Sequence, residues 1–92
     1  MVEKFLQIVN DEISMGILNF CKIPRTTQEI IDEIFVRLHN QAPTLYNEKS
    51  RVTPTVAKRL GSLEEIDALQ YMDGKWKTTT YAINTLSKYF AL

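Results

Sequence analysis

Residues 52–81 read Val-Thr-Pro-Thr-Val-Ala-Lys-Arg-Leu-Gly-Ser-Leu-Glu-Glu-Ile-Asp-Ala-Leu-Gln-Tyr-Met-Asp-Gly-Lys-Trp-Lys-Thr-Thr-Thr-Tyr. Thr53-Pro54 opens a helix. Thr is a favoured N-cap, and Pro at the first helical position gives up only an amide hydrogen that has no intrahelical partner. From there Val56, Ala57, Leu60, Leu63, Ile66 and Leu69 form a narrow apolar stripe at helical spacing, which predicts a helix over 53–69. Thr55, Lys58, Arg59, Ser62, Glu65 and Asp67 fall off that stripe. Two β-prone segments, Leu69–Met72 and Trp76–Tyr81, then flank Asp73-Gly74. Both turn residues tolerate the positive φ of a type I′ turn, so the pattern predicts a hairpin over 70–81.

Upstream, Val2, Phe5, Leu6, Val9, Ile13, Ile17, Phe20 and Cys21 recur mostly at steps of three and four. This predicts one long amphipathic helix ending before Pro24, with residues 1–15 as an extension ahead of the central body. Gly16 costs about 1 kcal/mol relative to Ala inside a helix, so it marks either a close helix contact or a break. Ile23-Pro24-Arg25-Thr26 suits a connector or an edge strand. Thr26-Thr27-Gln28-Glu29 has the form of a capping box and starts a helix carrying Ile30, Ile31, Ile34, Phe35 and Leu38, to about His39. Asn40 to Ser50 reads as a loop, pinned to the body by Leu45 and Tyr46. Ile83, Leu86, Tyr89 and Phe90 predict a short C-terminal helix over 83–92. The expected fold class is mainly α with a small β-hairpin, in the order helix, short strand, helix, helix, strand, strand, helix.

The 92 residues, 45% of them apolar, suffice for one modest core and not for two. No apolar run approaches the roughly 18 residues of a membrane span, and the start Met1-Val2-Glu3-Lys4 lacks a signal-peptide pattern, so a cytoplasmic protein is expected. One cysteine, Cys21, within a periodic apolar segment, is read as a core thiol. With one Cys and one His no tetrahedral nitrogen and sulfur metal site can be built from a single chain, and neither a metal nor a cofactor is expected. His39 reads as a helix-end residue. No nucleophile, base and acid constellation, glycine-rich phosphate loop or zinc motif is present, so no enzymatic activity is expected.

Eleven Lys and Arg balance eleven Asp and Glu, but the charges are unevenly placed. Residues 1–48 carry four cations against seven acids, net minus three, so the rest carries plus three. Lys49, Arg51, Lys58 and Arg59 fall in eleven residues without an acid, and Lys75 and Lys77 form a second basic pair. If Val56, Ala57, Leu60 and Leu63 face the core, Thr55, Lys58, Arg59 and Ser62 share the opposite face. Lys75 and Lys77, at alternate positions, point to one side of the hairpin. Trp76 is read as packing on the body.

The order of elements, and residues 52–81 above all, resemble the winged helix-turn-helix DNA-binding domain of small microbial transcriptional regulators, archaeal or ArsR-like. The likeness rests on a capped helix with a Val-x-x-x-Leu stripe ending in Leu-Glu-Glu and feeding a hairpin, with residues 17–38 fitting the preceding helices. It implies a single winged-helix domain over 1–92, with 53–69 as recognition helix and 70–81 as wing. About a dozen residues separate His39 from Thr53 where the family has a tight turn, so either the second helix is longer or an inserted loop sits beside the DNA-facing surface.

The resemblance implies a sequence-specific regulator of double-stranded DNA whose recognition helix enters the major groove. Arg59 suits bidentate contact with guanine, with Thr55 or Ser62 assisting; Arg51, Thr53, Thr55 and Lys58 suit phosphates, and Lys75 and Lys77 suit backbone or minor groove. Phe5, Leu6, Tyr89, Phe90 and Leu92 near the termini are expected to pair two subunits into a homodimer through the terminal helices; the alternative is that they complete the monomer's core. The alternative function is a winged-helix module that docks a protein, with the basic face incidental.

Overall fold

The helices begin where side chains or turns supply partners for otherwise orphaned backbone groups. In the computed structural model, which describes residues 2–90 and the side chains of 4–89, the expected first helix is two helices: α1 (Val2–Val9) and α2 (Glu12–Phe20). The break is at Asn10-Asp11 and not at Gly16. Asp11 is extended (φ −147°) and N-caps α2, accepting from the Ser14 amide at 2.8 Å and the Ser14 hydroxyl at 2.9 Å. An apolar period that continues through a cap hides the break, because both helices bury the same side of the chain. Gly16 instead marks a close helix contact: a Cβ there would lie 2.9 Å from Nη1 of Arg37.

The next helix, α3 (Thr27–Gln41), starts with the capping box, in which Thr26 Oγ1 accepts from the Glu29 amide at 3.1 Å and Glu29 accepts from the Thr26 amide at 2.8 Å. It runs two residues past His39, and most of the long interval before residue 53 is a loop. His39 Nδ1 lies 2.9 Å from the Tyr46 carbonyl oxygen, and the Tyr46 side chain packs on the core. Tyr46 pins the loop as expected; Leu45, 59% exposed, does not.

A 3₁₀ turn at Lys49–Arg51 leads into α4 (Thr53–Glu65). Thr53 is therefore the first helical residue and not the N-cap. Val52 takes the cap position without a side-chain bond, and the Thr53 hydroxyl donates to the Lys49 carbonyl at 3.0 Å. Pro54 moves to the second helical position, still among the amides that need no intrahelical partner. Val56, Leu60 and Leu63 are buried, whereas Ala57 is exposed, contrary to expectation.

Helix α4 stops at Glu65, four residues short of the predicted 69. Asp67 takes the left-handed conformation (φ 60°), its amide donates to Glu64 O at 3.0 Å, and the Ala68 amide donates to Leu63 O at 2.8 Å. This is a Schellman ending, with Asp where Gly is usual; Asp tolerates that φ better than most residues. Ala68 and Leu69, freed from the helix, are still buried.

Strands β1 (Leu69–Met72) and β2 (Lys75–Thr78) pair antiparallel, with Tyr71 opposite Trp76 and Met72 opposite Lys75. Asp73 (φ 55°) and Gly74 (φ 77°) both have the positive φ of the expected turn. Arg25 bridges Trp76 through two backbone bonds of 2.9 and 2.7 Å, so the Pro24 segment serves as a third, one-residue strand. Thr79, rather than a further strand residue, ends the hairpin: its hydroxyl accepts from the Ala82 amide at 3.0 Å and starts α5 (Thr80–Phe90). Tyr81 thus belongs to a helix that begins three residues earlier than expected.

One cluster joins buried residues of all five helices, among them Phe5, Ile17, Ile34, Leu63 and Leu86. Phe5, considered above for subunit pairing, is 1% exposed and lies within this core, and Leu6 packs against it. Tyr89 is 48% exposed, and the side chains of Phe90 and Leu92 lie outside the described residues. Among the described residues no helix is long and apolar enough to cross a membrane.

Replacing Gly16 by Ala tests the helix contact. The new methyl meets the flexible end of an exposed arginine, which can swing away, and Ile34 Cδ1 at an ordinary 3.7 Å, so the gain in helix propensity should dominate. The variant should be more stable by about 0.5–1 kcal/mol, read from the urea midpoint at unchanged slope.

Candidate nucleic-acid interface

With Val56, Leu60 and Leu63 turned inward, positions three and four apart on the far side of α4 form a common strip. Thr55, Lys58 and Ser62 occupy it, and Arg51 precedes it in the 3₁₀ turn. Arg51 and Lys58 are exposed, Thr55 and Ser62 half-buried, and none of the four side chains has a hydrogen-bond or ion-pair partner among the described residues. Thr53 is exposed, with its hydroxyl hydrogen engaged by Lys49 O.

Arg59 does not share this strip. It leans toward the α1–α2 junction, where its Nε lies 3.5 Å from Asp11 Oδ2. The separation leaves the ion pair intact but is too long and poorly aligned for a hydrogen bond, and Nε is buried without a partner. The expected base-reading guanidinium is therefore turned inward, because α2 presents its N-cap carboxylate beside it. Burial raises the Asp11 carboxyl, but the two Ser14 hydrogen bonds and the Arg59 charge outweigh it and hold the group below its ordinary value. Lys49 is likewise engaged, at 2.8 Å from Asp32.

On the hairpin, Lys75 and Lys77 are exposed and share one face with their cross-strand neighbours Met72 and Gln70. With Pro24 and Asp73 these four side chains border a cleft of about 410 Å³. Met72, 56% exposed and paired with Lys75 beside the turn, adds an apolar contact point to this face. Glu29 is held below its ordinary value chiefly by the Thr26 amide, with the charges of Arg25 and Lys75 adding to the effect. Trp76 packs on the body as expected: its ring lies 4.7 Å from that of Tyr71, and its indole N–H donates to Thr27 Oγ1 at 2.9 Å.

Cys21 is fully buried, and desolvation pushes its thiol up to about 12. Among the described residues no group of three His, Cys, Asp or Glu side chains could hold a metal ion. No protein-family model, characterised protein or solved structure matches the chain. The chemistry of these side chains is therefore the basis for a functional reading.

Two measurements check this geometry. A carboxyl whose pKa is depressed by folding stabilises fully above its unfolded value, and that stabilisation is lost as pH falls through the folded one. Asp11→Ala should cost about 1 kcal/mol at neutral pH, and urea titrations should show its gap from wild type narrowing below about pH 4. Asp11→Asn, which keeps a capping oxygen, should lose much less. Separately, Cys21 should resist a thiol-specific disulfide reagent at pH 8 in the folded protein and react fully in denaturant.

Proposed function

We propose that this chain is a winged helix-turn-helix protein that binds double-stranded DNA and regulates transcription. The observation that carries the reading is the strip of unpartnered cationic and hydroxyl side chains on α4, together with the exposed lysine pair on the hairpin. A capped helix entering the major groove presents such a strip to bases and phosphates, and an adjacent hairpin adds backbone or minor-groove contacts.

Within this reading Lys58 and Arg51 bind phosphate, while Thr55 and Ser62 are the side chains closest in type and position to base readers. Arg59 acts indirectly, holding α4 against the α1–α2 junction through Asp11. A homodimer joined through the terminal helices, with the exposed Tyr89 ring as one contact, would set two α4 helices about one DNA turn apart. A second reading, a protein-docking module, is favoured by the acids beside the basic groups: Asp32 at Lys49, Asp11 at Arg59 and Glu29 near Lys75.

The salt dependence of duplex binding separates the two. The four exposed cations on and beside α4 and on the hairpin, Arg51, Lys58, Lys75 and Lys77, predict for each chain bound a fall in affinity of about a hundredfold between about 50 and 200 mM salt. Arg51→Ala with Lys58→Ala should weaken binding to all duplexes and flatten the salt slope by about two. Arg59→Ala should lower stability more than affinity. Fluorescence anisotropy on a random duplex pool reads these outcomes, and absence of binding at about 50 mM salt would sink the DNA reading.

A further inference from the structure

A cleft of about 560 Å³ opens where α1, the turn after α4 and the start of α5 meet, bordered by Lys4, Phe5, Glu65, Ile66, Asp67 and Tyr81. Its volume is within the range of small-molecule sites, about 300–1,000 Å³. One wall is apolar. The Tyr81 ring meets Phe5 edge-on, with centroids 5.3 Å apart and planes at 78°, and Ile66 is half-buried beside them. Tyr81 remains 45% exposed, so part of its ring is open to an occupant.

The rim is charged and unneutralised. The side chains of Lys4, Glu65 and Asp67 have no hydrogen-bond or ion-pair partner among the described residues, although one cation and two carboxylates border the same space. Glu65 is the last residue of α4, where the helix dipole adds negative potential. Asp67 stands on a fixed stem: its backbone is held by its amide bond to Glu64 O and by the Thr79 hydroxyl, which donates to its carbonyl at 2.6 Å. Opposite charges that border one cleft without pairing fit a molecule that carries both signs and lies between them.

We propose that this cleft binds a small zwitterion with an apolar side chain, an α-amino acid of the phenylalanine or leucine type. Its ammonium group meets Glu65 and Asp67 beside the Tyr81 ring, its carboxylate meets Lys4, and its side chain lies on Phe5, Ile66 and Tyr81. A simple amine leaves Lys4 without a partner, and a simple carboxylic acid meets two like charges. This site is separate from the α4 strip and does not depend on the DNA reading.

Titration of the full chain by two-dimensional NMR tests the proposal, with L-phenylalanine, L-leucine, phenethylamine and 3-phenylpropionate as probes. The amino acids should bind in the millimolar range expected of ligands this small, with shifts centred on residues 4–6, 65–67 and 81. Each should bind about tenfold or more tightly than the amine or the acid alone, the scale of one charged contact. Glu65→Gln combined with Asp67→Asn should abolish the preference over 3-phenylpropionate, while the preference over phenethylamine and the rest of the spectrum persist, since Asn accepts the positive φ at 67. Lys4→Ala should reduce the amino acid to the level of the amine. No saturable shift up to the solubility limit, equal binding of amine and amino acid, or unchanged affinity in the folded double variant would each overturn it.

Discussion

The end of α2 must find partners for its last four carbonyl groups, and the way it does so ties the structure together. Ile17 O accepts from the Cys21 amide at 2.9 Å and Asn19 O from the Lys22 amide at 3.4 Å. The other two require side chains, one near in sequence and one far. Phe20 O takes the Arg25 Nε at 3.1 Å, and Leu18 O takes the hydroxyl of Thr78, sixty residues along the chain. The Thr78 amide also donates to Cys21 O at 2.9 Å. A buried carbonyl left unsatisfied costs about 1–3 kcal/mol, so β2 is docked on α2 by backbone chemistry as well as by packing. With β2 held there, Trp76 reaches Arg25 and Thr27, and the hairpin is registered against the start of α3.

Folding also redistributes charge. The N-terminal half is acidic, and folding places several of its carboxylates beside cations of the C-terminal half. Asp32 takes Lys49, and Asp11, while capping α2, takes Arg59. The cations left over include Arg51, Lys58 and the hairpin lysines, which face solvent. Exposed ion pairs of this kind add little to stability, but they decide which charges remain available to a partner.

The elements themselves were largely legible. Thr26 and Glu29 announce the start of α3, Asp73-Gly74 announces the turn, and the stripe of Val56, Leu60 and Leu63 announces the inner face of α4. These are local signals, because a cap or a two-residue turn is completed within a few residues. The errors also share a cause. The apolar period runs unbroken past Asp11 and past Asp67, and at both places a short polar side chain ends or starts a helix without interrupting the hydrophobic pattern. Ala57 and Leu45, read as buried from hydrophobicity alone, are exposed because nothing packs over them.

The order of helices and strands, apart from the division of the first helix at Asp11, the inner face of the helices, apart from Ala57, the burial of Cys21 and the turn geometry follow from the amino-acid sequence by itself, because each depends on local conformational preference or on simple periodicity. The partners of individual charged and polar side chains were decided only by the tertiary structure. Arg59 faces Asp11 across nearly fifty residues of chain, Thr78 seeks Leu18 across sixty, and Lys4 comes to border a cleft with Glu65 and Asp67. Periodicity states that such a residue is off the core face. Which neighbour it meets depends on how the elements dock, and that is set by the satisfaction of buried groups far apart in the chain.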